Sequence, residues 1–257
     1  MNTRASAKLR TAYASLAAAA AAAAIAGCGG DEATDAEPDL PQGDEPVDLD
    51  PADFTTDIDN RWLPMSPGSR WVYRETDASG AEQRIVVRVT PRTRTIANGI
   101  EARVIRDVAT EGGEPIEITD DWYAQDAAGN VWYLGERTAE FEHGELISRA
   151  GSWEAGVDGA EAGIAMPADP QSGMAYRQEH YAGEAEDHGA VISRGEERAG
   201  VPFGHFDEEV VMTRDLTPLE PRVEELKLYA PGIGNVLAVH TDRSGGRLEL
   251  LSYRPGG

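Results

Sequence analysis

Cysteine is almost absent from this chain: its 257 residues contain one, Cys28. That excludes an internal disulfide framework, and a lone cysteine in an exported chain calls for another role, such as acylation or pairing with a second molecule. Basic residues are scarce as well, 23 Lys and Arg against 46 Asp and Glu, for a net charge of −23. Such an imbalance speaks against nucleic acid as a partner and against adsorption to anionic lipid through the protein surface; solubility, cations or basic partners fit it better. No acidic residue precedes Asp31, there is no internal repeat, and no convincing amphipathic helix follows the N-terminal segment.

The first 27 residues carry a basic start (Arg4, Lys8, Arg10), an apolar run from about Ala12 to Ala26, and a cleavage region. This is the three-part layout of an export signal. The run is too short and too rich in alanine for a membrane-spanning helix, which needs about 20 strongly apolar residues. Ile25-Ala26-Gly27-Cys28 resembles the lipobox of bacterial lipoproteins, in which the cysteine receives a diacylglyceryl group before cleavage. The resemblance implies that residues 1–27 are removed and that lipid on Cys28 holds the protein to the extracytoplasmic face of a cell membrane. Two or more acyl chains, at about 0.8 kcal/mol per buried methylene, make that attachment stable. Loss of the signal leaves 20 basic against 46 acidic residues, a net −26.

Residues 28–51 hold nine acids between Asp31 and Asp50 and no basic residue. A segment of that composition is expected to be a disordered tether that lifts the following domain off the membrane. About 23 flexible residues span about 27 Å, and more under mutual repulsion.

From residue 52 to 257 the pattern changes to short alternating runs. Ile85, Val87 and Val89 alternate with Val86, Arg88 and Thr90; Ile100, Ala102 and Val104 with Glu101, Arg103 and Ile105; Val236, Ala238 and His240 with Leu237, Val239 and Thr241. Each reads as a strand with one better-buried face. Turn signals stand between such runs at 77–80, 97–99, 111–113, 128–130, 142–144 and 244–246, where Gly and Asn tolerate the positive φ of tight hairpins. Ten or eleven strands result, with weak helical signals only at 158–165 and 193–199. The expected fold is all-β: a mainly antiparallel sheet curled into a barrel or half-barrel, with a β-sandwich as the alternative, in one domain. Trp71, Tyr73, Trp122, Trp132, Tyr133, Trp153, Tyr176, Tyr229 and Tyr253 would pack its concave side.

Candidate sites are few. The densest group of potential ligands is YRQEHYAGEAEDH, where Glu179, Glu184, Asp187, His180 and His188 form a candidate divalent metal site for calcium or zinc. If the flanking runs pair through Gly183, Glu179 and Asp187 come close across the hairpin. No recognised metal-binding spacing occurs, so a solvated acidic loop is the competing reading. Asp126 and Asn130 flank a glycine turn that lacks the EF-hand acid pattern and reads as a capped β-turn. The irregular stretch 151–173 reads as a ligand loop, with Trp153, Ile164 and Met166 forming an apolar underside over the barrel mouth. No Gly-x-Ser-x-Gly elbow is present, and His143, His180, His188, His205 and His240 have no evident serine partner, so no catalytic residue is assigned and a non-enzymatic role is favoured. No cofactor motif occurs; a divalent cation is the one candidate.

Several strings taken together, FTTDIDNRWLPMSPGSRWVYRE, WYAQDAAGNVWYLGE, GSWEAGVDGAEAGIAMPADP and LYAPGIGNV, resemble a family of uncharacterised secreted bacterial proteins and lipoproteins, common in actinobacteria and some proteobacteria. The likeness spans most of residues 54–253 and implies secretion and a single domain rather than an activity. A looser architectural resemblance is to periplasmic half-barrel lipid carriers, without their helices across the mouth; fold alone does not supply function. The resulting expectation is a membrane-anchored lipoprotein that binds an apolar small molecule or an envelope protein through a curved sheet. A cation-binding envelope domain and a hydrolase of envelope material are the alternatives.

Overall fold

The period-two alternation that begins at residue 70 folds as a long antiparallel meander. The computed structural model describes residues 40–241 and 245–257. A 3-10 turn at Pro51–Asp53 leads into β1 (Phe54–Thr55), which pairs with the end of β5. The meander runs through β2 (Arg70–Thr76), β3 (Glu82–Thr95), β4 (Glu101–Glu111), β5 (Glu114–Asp126) and β6 (Val131–Glu142). Next come the short strands β7 (Glu145–Ser148), β8 (Trp153–Glu154), β9 (Glu161–Met166), β10 (Ala175–Arg177) and β11 (Glu179–His180). The return half is β12 (His188–Arg194), a small hairpin of β13 (Ala199–Val201) and β14 (Gly204–Phe206), then β15 (Val211–Leu216), β16 (Glu224–Ala230), β17 (Gly234–His240) and β18 (Arg247–Arg254).

Sixteen of these strands form one antiparallel sheet in the order β10-β12-β15-β16-β17-β18-β2-β3-β4-β5-β6-β9-β11, with β1, β7 and β8 attached to β5 and β6. The two ends of that order are neighbours in sequence. Residues 175–177 bond to β12 and residues 179–180 to β9, so one segment joins both edges and curls the sheet into a nearly closed barrel. Closure removes the open edges that make large sheets prone to aggregate. Two glycines permit the joint. A Cβ on Gly163 would lie 2.4 Å from the Gln178 backbone, and one on Gly189 would lie 2.5 Å from the Tyr176 ring.

The all-β class, the antiparallel sheet curled into a barrel and the turn signals thus agree with expectation, except that Ser244 lies outside the described residues; the strand count does not, with eighteen strands among the described residues against the ten or eleven expected, because short pairings such as β8, β11 and β13 leave little alternation to read. The weak helical signals do not: 161–166 is strand β9, and residues 193–194 and 199–201 fall in β12 and β13. Cross-strand pairing of these residues outweighs a marginal local helical preference.

Inward faces carry Trp71, Tyr73, Ile85, Val89, Ile105, Leu134, Val211, Val236 and Leu250 into one hydrophobic core. Burying a side chain such as Ile or Leu stabilises by about 1.5–3 kcal/mol. Seven of the nine aromatics named above are buried, and Tyr133 and Tyr253 are half-buried.

The signal, Cys28 and residues 29–39 lie outside the described residues. The rest of the expected tether does not float free. From Leu40 to Asp50 it lies along the barrel joint, held by Arg177, which is fully buried. The Arg177 guanidinium donates to the carbonyls of Gln42, Gly43 and Glu45 at 3.3, 3.0 and 2.8 Å and to Ala162 O at 2.8 Å, while Arg177 N–H donates to Pro41 O at 2.7 Å. A buried guanidinium needs acceptors, and here an acidic but backbone-rich segment supplies them. Val47 N–H donates to Glu161, and Leu40, Val47 and Leu49 pack on the core.

Candidate functional site

The barrel interior is not uniformly apolar. On β4 and β5, Asp107, Glu117, Thr119 and Asp121 share the inward face with Ile105 and Ala109. On β6 a bulge changes the register: Asp121 lies opposite Glu136 while Tyr123 lies opposite Tyr133, so β6 carries one extra residue. Gly135 provides it, with φ +127, and a Cβ there would lie 2.4 Å from Trp153 O. Bulges re-aim side chains, and this one puts Tyr133 and Glu136 on the same face although they are three apart.

Tyr133 Oη stands 2.8 Å from Asp121 Oδ1 and 2.8 Å from Glu136 Oε2. The Thr138 hydroxyl donates to Glu136 Oε1 at 3.0 Å and lies 3.0 Å from the Thr119 hydroxyl. Tyr133 stacks on Tyr123 at 4.8 Å and meets Trp153 edge-on at 5.3 Å. Trp153 Nε1 in turn donates to Glu179 Oε2 at 2.8 Å. Beyond Glu179 lies Asp187, whose carbonyl accepts from Gln178 and Glu179 N–H and whose Oδ1 is buried with no hydrogen-bond partner. Asp215 follows, bonded to Thr213 and, at 2.6 Å, to Lys227 Nζ, which also lies 3.1 Å from Glu225.

Burial pushes six of the inward carboxyls up, and mutual repulsion adds to it. Asp107 and Glu117 rise to about 7, with Asp121 and Asp107 respectively as the next causes. Burial likewise brings Glu136 to about 7 and Asp187 to about 6. Asp121 and Glu179 are raised well above the carboxylate range by burial, then by Glu136 and Asp187 respectively. These groups titrate as an interacting set. Asp107, Glu117, Asp121 and Asp187 are nevertheless only half-buried. Half-burial of an inward group means that side chains do not wholly fill the lumen at this level.

The sequence-derived candidates divide here. Glu179 and Asp187 do come together, as the hairpin through Gly183 implied. Glu184 is exposed at its tip, His180 and His188 are half-buried, and burial lowers the His188 pKa, helped by Arg177. Among the described residues no three His, Cys, Asp or Glu are arranged to hold a metal ion, so the five-residue metal set does not assemble. Trp153, Ile164 and Met166 are not a lid. They are 5%, 0% and 0% exposed, and they belong to β8 and β9, which pair with β6. The stretch looked irregular because its glycines interrupt the alternation, yet they are what lets the strands pass close together. The Asp126 turn is capped as expected: Asp126 accepts from Asn130 N at 2.8 Å and from Trp132 Nε1 at 2.8 Å. Sequence reasoning missed Asp107, Glu117, Asp121 and Glu136. Each stands in a strand of ordinary alternation, where an acid normally signals the solvent face.

No family model matches the chain, and no curated protein matches it. Two solved structures are similar in overall form. One is a protein described as exported, with a YmcC-like fold, from Bacteroides fragilis NCTC 9343: 13% identity over 76% of this chain and 100% of that one, TM-score 0.41. The other, described as a lipoprotein from Parabacteroides distasonis ATCC 8503, has 14% identity over 76% of this chain and 99% of that one, with a TM-score of 0.38.

Proposed function

We propose that this chain is an extracytoplasmic lipoprotein, anchored through Cys28, whose barrel binds a small cation or a ligand rich in hydrogen-bond donors through its lumenal carboxyls. The supporting observation is the crowding of Asp121 and Glu136 on Tyr133, next to Glu179 on Trp153 and its neighbour Asp187. Buried carboxylates are costly unless a proton or a positive partner compensates them. Lys227 pairs with Asp215 and Glu225 and also attracts Asp187. Among the described residues Asp121, Glu136 and Glu179 form no ion pair, so positive charge from outside is what this arrangement draws. An interior of this kind suits an apolar ligand poorly.

Calorimetric titration of the full chain with a short alkyl diamine, calcium and zinc, above pH 7.5 where Glu136 and Asp187 are mostly ionised, tests the reading. Binding that disappears in Glu136→Gln and Glu179→Gln supports it; absence of heat and of any rise in melting temperature with all three removes it. Calcium or zinc alone would favour a divalent site built from Glu179 and Asp187, a second reading that rests on their closeness across the hairpin.

A further inference from the structure

The outward face of the same strands carries a charge pattern of opposite sign. Following the register across the sheet, Arg254 on β18 faces Arg70 on β2, Arg70 faces Arg88 on β3, Arg88 faces Arg106 on β4, Arg106 faces Asp120 on β5, and Asp120 faces Arg137 on β6. Five arginines and one aspartate thus stand in a single row across six strands. At a strand spacing of about 4.8 Å, the row is about 24 Å long.

Like charges directly opposite one another destabilise a sheet, so such a row needs a reason. At one end it is partly compensated: Asp120 accepts from Arg106 at 2.7 and 2.6 Å, from Arg137 at 3.0 Å and from Arg92 at 3.1 Å. One carboxylate against three guanidiniums still leaves positive charge. At the other end nothing compensates. Among the described residues no side chain forms a hydrogen bond or ion pair with the guanidiniums of Arg254, Arg70 or Arg88, although the chain has twice as many acids as bases. Burial and the neighbouring Arg88, Arg84 and Arg254 together lower the Arg70 pKa, the mark of crowded cations. Open clefts lie over both ends, about 320 Å³ between Arg70, Arg88 and Arg254, and about 510 Å³ beside Arg106, Arg137 and Arg149.

We infer that this row binds a linear phosphate-bearing polymer lying across the strands. Guanidiniums recognise phosphate through paired N–H donors, and a line of them at regular spacing fits a chain of anions rather than one ion. The row is one residue high. Beside it run Val72, Val86, Val108 and Ile118, and beyond these Arg74 is already tied to Glu249 and Glu82. A flat anionic membrane would meet those acids together with the row. A thin polymer would not, because at physiological salt charges more than about 8 Å away are largely screened.

Titration calorimetry of the full chain with inorganic polyphosphate, in about 50 mM salt, tests this. Polyphosphate should bind at least tenfold more tightly than orthophosphate, and binding should weaken as salt rises. Arg70→Gln with Arg88→Gln should weaken it about tenfold or more, while Arg198→Gln with Arg222→Gln, which removes the same charge from exposed sites elsewhere, should leave it unchanged. Circular dichroism checks that both variants fold. No binding, equal weakening by both variants, or binding only to vesicles containing phosphatidylglycerol would overturn the inference. Neither variant touches the lumenal carboxyls, so this result is separate from the cation titration.

Discussion

The hydroxyl of Tyr133 lies 2.8 Å from Glu136 Oε2, and it has only one proton to give. Asp121 Oδ1 is equally close, so both contacts are hydrogen bonds only if one of the two carboxyls is itself protonated. The raised values of Glu136 and Asp121 are consistent with that. Tyr133 is therefore the centre of a shared-proton network rather than a simple donor.

Stability should fall as pH rises. Asp107, Glu117 and Glu136 at about 7, and Asp187 at about 6, all lie above their ordinary 3.8 or 4.5. Between those limits the folded chain holds protons that the unfolded chain has released, so their contribution is complete below about 4 and is lost as pH passes through 6 to 7. Asp77, Asp120 and Glu249 are lowered and act oppositely, losing their contribution on acidification below the usual carboxylate range. A stability maximum near pH 4 is expected, where the two opposing sets of carboxyls cross. One proton of linkage is worth about 1.4 kcal/mol per pH unit, about 3 °C for a domain of this size, and thermal melts from pH 4 to 8 measure it.

Glu136→Gln removes one buried charge while keeping a hydrogen-bonding side chain. It should stabilise the domain at pH 8 by about 1–2 kcal/mol and flatten the pH profile, with little gain at pH 5. Urea denaturation at the two pH values separates this from a plain packing defect, which would cost stability at both.

Gly135→Ala should destabilise by about 2–4 kcal/mol. Its Cβ would collide with Trp153 O, and its φ is unfavourable for an L side chain. Trp153 fluorescence should shift as its bond to Glu179 is disturbed, whereas Gly144→Ala, at a turn with open space around it, should leave the spectrum unchanged.

A chain that begins at residue 40 should melt like the full chain, and one that begins at residue 52 should be about 3–5 kcal/mol less stable. The second loses the three carbonyls that face one Arg177 nitrogen and leaves a buried charge short of acceptors. Comparing the two denaturation curves locates the true end of the tether.

Cys28→Ala should release the protein from the membrane fraction or leave its signal uncut, and metabolic labelling with a radioactive fatty acid should show no incorporation. A variant that stays labelled and membrane-bound would disprove the anchor.

Much of the fold was legible because it rests on local rules. The alternation at Ile85–Val89 and the Gly turns at 80, 99, 113 and 129 act on neighbours in sequence, and each is visible without knowing what lies across the sheet. The 151–173 stretch was misread for the opposite reason: Gly163 and Trp153 acquire their meaning only against Gln178 and Glu179, which lie 15 and 26 residues away.

Backbone preference and composition need no partner, so the all-β class, the hairpin turns and the sign of the net charge could be read from the chain alone. The tertiary structure decided where charge goes. A one-residue bulge at Gly135 reverses which face β6 presents, so Tyr133 and Glu136 meet in the lumen although alternation alone would separate them. The cross-strand register, likewise, turns arginines scattered over 185 positions, from Arg70 to Arg254, into one row. Side-chain direction in a sheet is fixed by pairing, and pairing is a property of the whole chain.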